Sequence, residues 1–205
     1  MFTGLVTSVG TIESCKKLEG GVQLRVFSDC DNKTLRIGAS ISCSGICLTI
    51  VDLPTEHENA FWFTVEAWEE TLQLTTLSSW DVGTHINLER SMKLGDEIGG
   101  HFVFGHVDGI AKILSIRNEG AARRFEIKVP IHLTPFITSK GSICLDGTSL
   151  TVNHIDKNIF NVLLVRHTLD ITTWDERKDG DNVNIEIDQF SRCLSRFSEF
   201  AKNSG

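Results

Sequence analysis

Short runs of alternating apolar and polar residues mark most of the chain. Ile41-x-Cys43, Phe61 to Val65, Phe125-x-Ile127-x-Val129 and Val183-x-Ile185-x-Ile187 repeat every second residue, and each is bounded by Gly, Asn or Asp. That period puts every other side chain on one face and predicts short strands, each with a single buried side. The pattern changes near the end, where Phe190, Cys193, Leu194, Phe197 and Ala201 fall at helical spacing. This predicts a helix from Gln189 to Lys202, with Asp188 as a candidate cap.

The strand pattern occurs twice. Ser44-Gly45-Ile46-Cys47-Leu48-Thr49-Ile50 returns 102 positions later as Asp146-Gly147-Thr148-Ser149-Leu150-Thr151-Val152. Glu70-Thr71-Leu72-Gln73-Leu74-Thr75-Thr76 returns at an offset of 97 as His167-Thr168-Leu169-Asp170-Ile171-Thr172-Thr173. Gly83-x-x-Ile86-Asn87-Leu88-Glu89 matches Gly180-x-x-Val183-Asn184-Ile185-Glu186, and Gly4, Val6 and Ile12 align with Gly105, Val107 and Ile113. A period this long exceeds a solenoid unit and reads as a duplicated domain. The expected units are 1–97 and 98–188, followed by a helical tail, 189–205. Short strands separated by tight turns in a unit of this size suggest a small antiparallel barrel, so the fold class is all-β. The apolar stripe of the tail then lies outside two complete barrels. It packs on its own barrel or on another chain.

Composition narrows the function. Of 205 residues, 40% are hydrophobic and 23% charged, which excludes a disordered chain. A net charge of −7 argues against nucleic acid or an anionic membrane as partner. No apolar run is long enough to span a bilayer, and Met1-Phe2-Thr3-Gly4-Leu5-Val6 lacks the basic flank of a signal peptide, so a cytoplasmic protein is expected. In that setting Cys15, Cys30, Cys43, Cys47, Cys144 and Cys193, which form no C-x-x-C pair, are expected as free thiols.

The candidate chemistry lies in the repeats. If Leu48 and Ile50 enter a core, Cys47 and Thr49 face outward, and the repeat puts Ser149 and Thr151 in the matching places. Two similar pockets would then differ in a thiol against a hydroxyl; taken alone, Cys47 reads first as a small buried filler. His101 has no counterpart in the other repeat, so it is either a proton-exchanging imidazole or a structural histidine. The glycines around it fit neither a P-loop nor a dinucleotide fingerprint. His101 and His106, five apart on a strand, face opposite sides and do not chelate a metal. Glu66, Trp68 and Glu70 alternate along a strand ending at a turn at Thr71. They suit a polyol and a ring, or they are a solvated strand end.

Together these blocks resemble the alpha-type riboflavin synthase family over nearly the whole chain. The shared stretches are Met1 to Val6, Gly45 to Thr49, Glu70-Thr71-Leu72, Asn87-Leu88-Glu89-Arg90, Gly99 to Gly109, Lys140-Gly141-Ser142, Asp146 to Val152 and Asn184 to Asp188. The resemblance implies two homologous six-stranded Greek-key barrels with a C-terminal α-helix, assembled as a homotrimer. It implies a transferase that converts two molecules of 6,7-dimethyl-8-ribityllumazine into riboflavin and 5-amino-6-(ribitylamino)uracil by four-carbon transfer. No cofactor or metal is implied, because electrons pass between identical molecules. The two substrates would lie between the first barrel of one subunit and the second barrel of the next. Association with lumazine synthase stays open.

Carried over position by position, the first pocket would use Gly4, Leu5 and Val6, Cys47, Leu48 and Thr49, and Glu66, Ala67, Trp68, Glu69, Glu70 and Thr71. Gly100, His101 and Phe102 join the substrate-contacting set. The second pocket would use Lys140, Ser149, Leu150 and Thr151, and Leu163, Leu164, Val165, Arg166, His167 and Thr168. Phe2, Ser40, Cys47, His101, Asp146 and Asp188 match positions linked to catalysis. Cys47 is expected to activate a nucleophile at C7 of the ring, with His101 and Ser40 assisting proton transfer. Ser44 stands where many relatives carry Asn. Val165-Arg166 replace a common Ile-Pro and would bring a cation to the ribityl chain. A lumazine or flavin carrier of the same fold is the alternative, but a carrier needs one good pocket and both repeats here keep their polar residues.

Overall fold

The computed structural model describes residues 1–28, 35–55 and 61–203, so Cys30 lies outside the described residues. Strands β1 (Ser8–Leu18), β2 (Gly21–Phe27), β3 (Ser40–Cys43), β4 (Ile46–Asp52), β5 (Trp62–Trp68) and β6 (His85–Arg90) close an antiparallel barrel in the order β1-β2-β5-β4-β3-β6. The second set is β7 (Gly109–Glu119), β8 (Ala122–Lys128), β9 (Ser142–Leu145), β10 (Thr148–Thr151), β11 (His154–Asp156), β12 (Ile159–Leu164) and β13 (Asn182–Ile187). Its order is β10-β9-β13-β7-β8-β12-β11.

This is the same circuit with one strand broken. Where β4 continues past a register shift between Ile50 and Asp52, the second copy interrupts the ladder between Thr151 and His154, so one long strand becomes β10 and β11. A bulge and a break both add a bend where a small barrel turns a corner. A second pair of register shifts, Ile12/Ser14 in β1 and Ile113/Ser115 in β7, repeats faithfully.

Alternation fills each barrel. Ile41, Ile50, Phe63, Val65, Ile86 and Leu88 pack inside the first, and Ile113, Phe125, Ile127, Phe160, Val162 and Ile185 inside the second. Burying a side chain of this kind stabilises the fold by about 1.5–3 kcal/mol. Trp174 plugs the second core edge-on to Phe125, with ring centres 5.0 Å apart, and its indole N–H donates to Thr148 Oγ1 at 3.0 Å.

Each copy also holds a six-residue helix, α1 (Glu69–Leu74) and α2 (Arg166–Ile171). This corrects the expected strand through Glu70: β5 ends at Trp68, and Glu69 and Glu70 open a helix instead. A helix this short carries too few residues to display a 3.6 period, whereas two acidic residues in its first turn favour the N-terminal end of the dipole. The tail forms α3 (Gln189–Asn203), as expected.

The barrels are joined by reciprocal bonds about an approximate twofold. Asn87 Nδ2 donates to Asp146 O and Asn184 Nδ2 to Ser44 O, each at 2.8 Å. Asn87 Oδ1 accepts from Thr173 N and Asn184 Oδ1 from Thr76 N, again at 2.8 Å. The turns at Gly45 and Gly147 touch backbone to backbone, leaving no room for a Cβ at either.

Candidate functional site

A cavity of about 270 Å³ opens on the first barrel, lined by Cys47, Leu48, Thr49, Val51, Glu66, Ala67, Trp68 and Thr71. It lies between β4 and β5, where α1 begins. Leu48 and Ile50 are buried in the core while Cys47 and Thr49 face outward, as the alternation requires. Ser40 pairs with Thr49 across the β3–β4 ladder. Glu66 is held from β2, where Gln23 Nε2 donates to its Oε1 at 2.9 Å. Trp68 lines the cavity and is exposed; Glu69 and Glu70, also exposed, are outside the lining, and Glu69 accepts from Gln73 Nε2.

At the matching place on the second barrel, Ser149, Leu150 and Thr151 lie on β10, Leu163 and Leu164 on β12, and Arg166, His167 and Thr168 on α2 after Val165. Here Ser149 Oγ is 2.7 Å from His101 Nδ1. Burial lowers the pKa of His101, opposed by the negative charge of Asp188. The imidazole is therefore neutral at pH 7 and able to accept a proton. Asp188 Oδ1 meanwhile accepts from Phe190 N at 2.8 Å, capping α3. The Arg166 guanidinium is engaged by Asp170 on its own helix at 2.7 Å, so the cation expected over the ribityl chain is turned to a carboxylate four residues on. Lys140 is exposed, with φ +69° and its N–H on Val152 O at 2.6 Å.

The connecting segments are exchanged. Gly4, expected with the first pocket, lies instead against the second barrel: its carbonyl accepts from Ser149 N at 2.8 Å. Gly105 accepts from Cys47 N at 2.9 Å, against the first. Both glycines have positive φ, +74° and +76°, and a Cβ on either would stand 2.5 Å from the Cβ of Ser149 or Cys47. Between them Phe2 and Val103 form an antiparallel bridge with N···O distances of 2.7 and 3.0 Å. The chain rejoins the first barrel at Thr7, whose N–H donates to Leu88 O. Leu5 sits beside Gly99, Val6 is buried, and Gly100 packs against Thr3 O and Ser149. His101 and its neighbour Phe102, both half-buried, lie in this bridged linker rather than in the continuous strand expected for His101 and His106.

Of the six candidate catalytic residues, Cys47 lines the first cavity and Ser40 lies on the adjoining strand, while His101 contacts Ser149 of the second barrel and feels the charge of Asp188. Phe2 is fully buried in an apolar cluster with Val103 and Cys144, on which Cys47 packs. Asp146 is buried in the turn between barrels, accepting from Asn184 N at 2.8 Å and paired with Arg177 at 2.6 Å.

Two carboxylates beside these pockets were not singled out from sequence. Glu89 Oε1 accepts from Thr3 N at 2.6 Å and its Oε2 from Gly4 N at 3.0 Å, while Glu186 Oε1 accepts from Phe104 N at 2.7 Å. Burial raises the pKa of both, against the lowering effect of these backbone N–H groups. Their signal was present as a polar-x-acid pair repeated in two otherwise apolar strands.

The lumazine binding domain family matches residues 3–91 and again 104–188. The riboflavin synthase of Brucella abortus (strain 2308) is 57% identical over 98% of this chain and all of its own length. That of Bacillus subtilis (strain 168) is 38% identical, covering 96% of this chain and 89% of its own. Among solved structures, LumP complexed with riboflavin superposes with a TM-score of 0.83 at 24% identity over 92% of this chain and all of its own. LumP complexed with 6,7-dimethyl-8-(1'-D-ribityl) lumazine gives 0.81 at 22%, with the same coverage, and both likenesses bear on the fold alone.

Proposed function

The chain belongs to the riboflavin synthase family built on paired lumazine binding domains, and from that premise we propose that it catalyses the dismutation of two 6,7-dimethyl-8-ribityllumazine molecules. One molecule gives up a four-carbon unit and leaves as 5-amino-6-(ribitylamino)uracil; the other receives it and becomes riboflavin. The observation that carries this reading is the retention of polar groups in both repeats: Cys47 and Thr49 in one, Ser149 with His101 and Thr151 in the other. A carrier needs only one such place. Holding two identical rings face to face replaces a bimolecular encounter, which supplies a large part of the rate. Cys47 activates a nucleophile at C7 of one ring, Ser40 assists from the adjoining strand, and neutral His101 moves a proton on the other side. Glu66 and the hydroxyls of Thr49 and Thr71 suit the ribityl chain, and Trp68 suits a ring edge.

Within one chain, Cys47 and His101 serve different pockets, which supports a site completed between subunits. We assign α3 the assembly role and a homotrimer as the assembled form. Phe190, Leu194 and Phe197 are 67, 67 and 73% exposed, so the stripe is left off its own barrel. The cytoplasm is the setting we propose, where thiols such as Cys47 remain reduced. No helix among the described residues is long and apolar enough to cross a membrane.

Purified protein incubated with the lumazine is expected to develop riboflavin absorbance. Binding without conversion would establish the carrier reading instead. Cys47→Ser should slow turnover by about tenfold or more with ligand affinity little changed, because a hydroxyl ionises far less readily than a thiol; stopped-flow turnover beside equilibrium titration separates the two.

The pH dependence follows from His101. A lowered pKa keeps the base neutral below the ordinary 6.5, so the acid limb of kcat/KM should fall at lower pH than an unperturbed histidine would give. His101→Gln should remove that limb and lower kcat. An unchanged limb in the variant would assign the titration to another group.

A further inference from the structure

We infer that Glu89 and Glu186 are positioning residues that act crosswise, each fixing from one barrel the backbone that lines the pocket of the other. The inference rests on the reading of the Cys47 and Ser149 regions as ligand pockets.

Glu186 stands on β13 of the second barrel. Its Oε1 takes the N–H of Phe104, the residue before Gly105, at 2.7 Å. That grip presents the Gly105 carbonyl to the Cys47 N–H at 2.9 Å and lays the Gly105 backbone over the Cys47 Cβ. The thiol of the first pocket is thus set by an acid of the second barrel.

Glu89, on β6 of the first barrel, does the converse. It takes the N–H groups of Thr3 and Gly4 and the Thr3 hydroxyl. The Thr3 carbonyl then receives His101 N at 3.1 Å, and the Gly4 carbonyl receives Ser149 N at 2.8 Å. Both partners of the His101–Ser149 contact hang from a segment that Glu89 fixes. Charge-assisted bonds from buried N–H groups to a carboxylate are among the stronger ones available, and no other side chain of the segment replaces them.

The crosswise wiring separates this role from a general loss of stability. In full-length protein, peptide-resolved iodoacetamide labelling should find Cys47 reacting roughly tenfold faster in Glu186→Gln, the factor that loss of one charge-assisted bond permits. Glu89→Gln should accelerate Cys47 clearly less than Glu186→Gln, because Glu89 reaches Cys47 only by way of Ser42 on the intervening strand and the Phe2–Val103 bridge, whereas Glu186 holds the residue next to Gly105. In Glu89→Gln, the His101 imidazole followed by proton NMR should titrate closer to its ordinary value, because the Thr3–Gly4 segment no longer shields it.

Neither readout needs substrate, so the result stands whether or not the lumazine is converted. If Glu186→Gln is not recovered folded, Glu186→Asp, which keeps the charge but withdraws it by one methylene, should accelerate Cys47 labelling selectively. Equal acceleration by the Glu89 and Glu186 variants, or no acceleration by either Glu186 variant, would overturn the proposal.

Discussion

Ending the chain at Asp188 is expected to leave both barrels folded and to abolish nearly all turnover. The barrel cores contain no residue of α3. The helix is tied to its own subunit by polar contacts near its start, with Phe190 N on Asp188 and the Arg192 guanidinium 2.8 Å from Asp108. Phe190, Leu194 and Phe197 project away, a stripe that burial against other copies of α3 would stabilise at about 25 cal/mol per Å². If the site forms only between chains, its occupancy follows the assembled fraction, and loss of the helix should lower activity at micromolar protein by roughly a hundredfold or more. Sedimentation and a riboflavin assay on the truncated chain test both halves. An intact, active oligomer would remove the assembly role from α3.

Asp146→Ala should cost about 3 kcal/mol of stability, the lower end for breaking a buried ion pair, because Arg177 retains some access to water. The carboxylate is 1% exposed and bridges Arg177 to the Asn184 N–H, in the turn that meets Gly45 at the barrel junction. For a chain of this length the melting temperature should drop by roughly 6–12 °C. Residual activity in the cold should stay well above that of Cys47→Ser, since Asp146 belongs to the junction and not to the lining of the first cavity. A variant with parental melting and no turnover would return Asp146 to the catalytic set.

Much of this was legible beforehand. The outward pair Cys47 and Thr49 with Leu48 and Ile50 inward followed from period-two alternation, because each β-strand residue responds to what lies on its own side of the sheet. The amphipathic tail followed from the 3.6 period for the same local reason. The short helices α1 and α2 did not, since six residues cannot establish a period and the strand pattern ran straight into them.

The destination of the linking segments was also hidden. Thr3 meets Glu89 across 86 positions and Phe104 meets Glu186 across 82, through single bonds that leave no trace in local patterning. By itself the sequence determined a duplicated strand framework, an unlike pair of outward residues at equivalent places and membership of a family. Only the tertiary structure decided that Gly4 crosses to Ser149, that Gly105 crosses to Cys47, and that His101 meets Ser149 of the second barrel. The physical reason is that alternation records which side of a strand avoids water. The partner of an extended segment is instead chosen by which distant backbone groups and buried carboxylates can satisfy its N–H and C=O groups once the chain has closed.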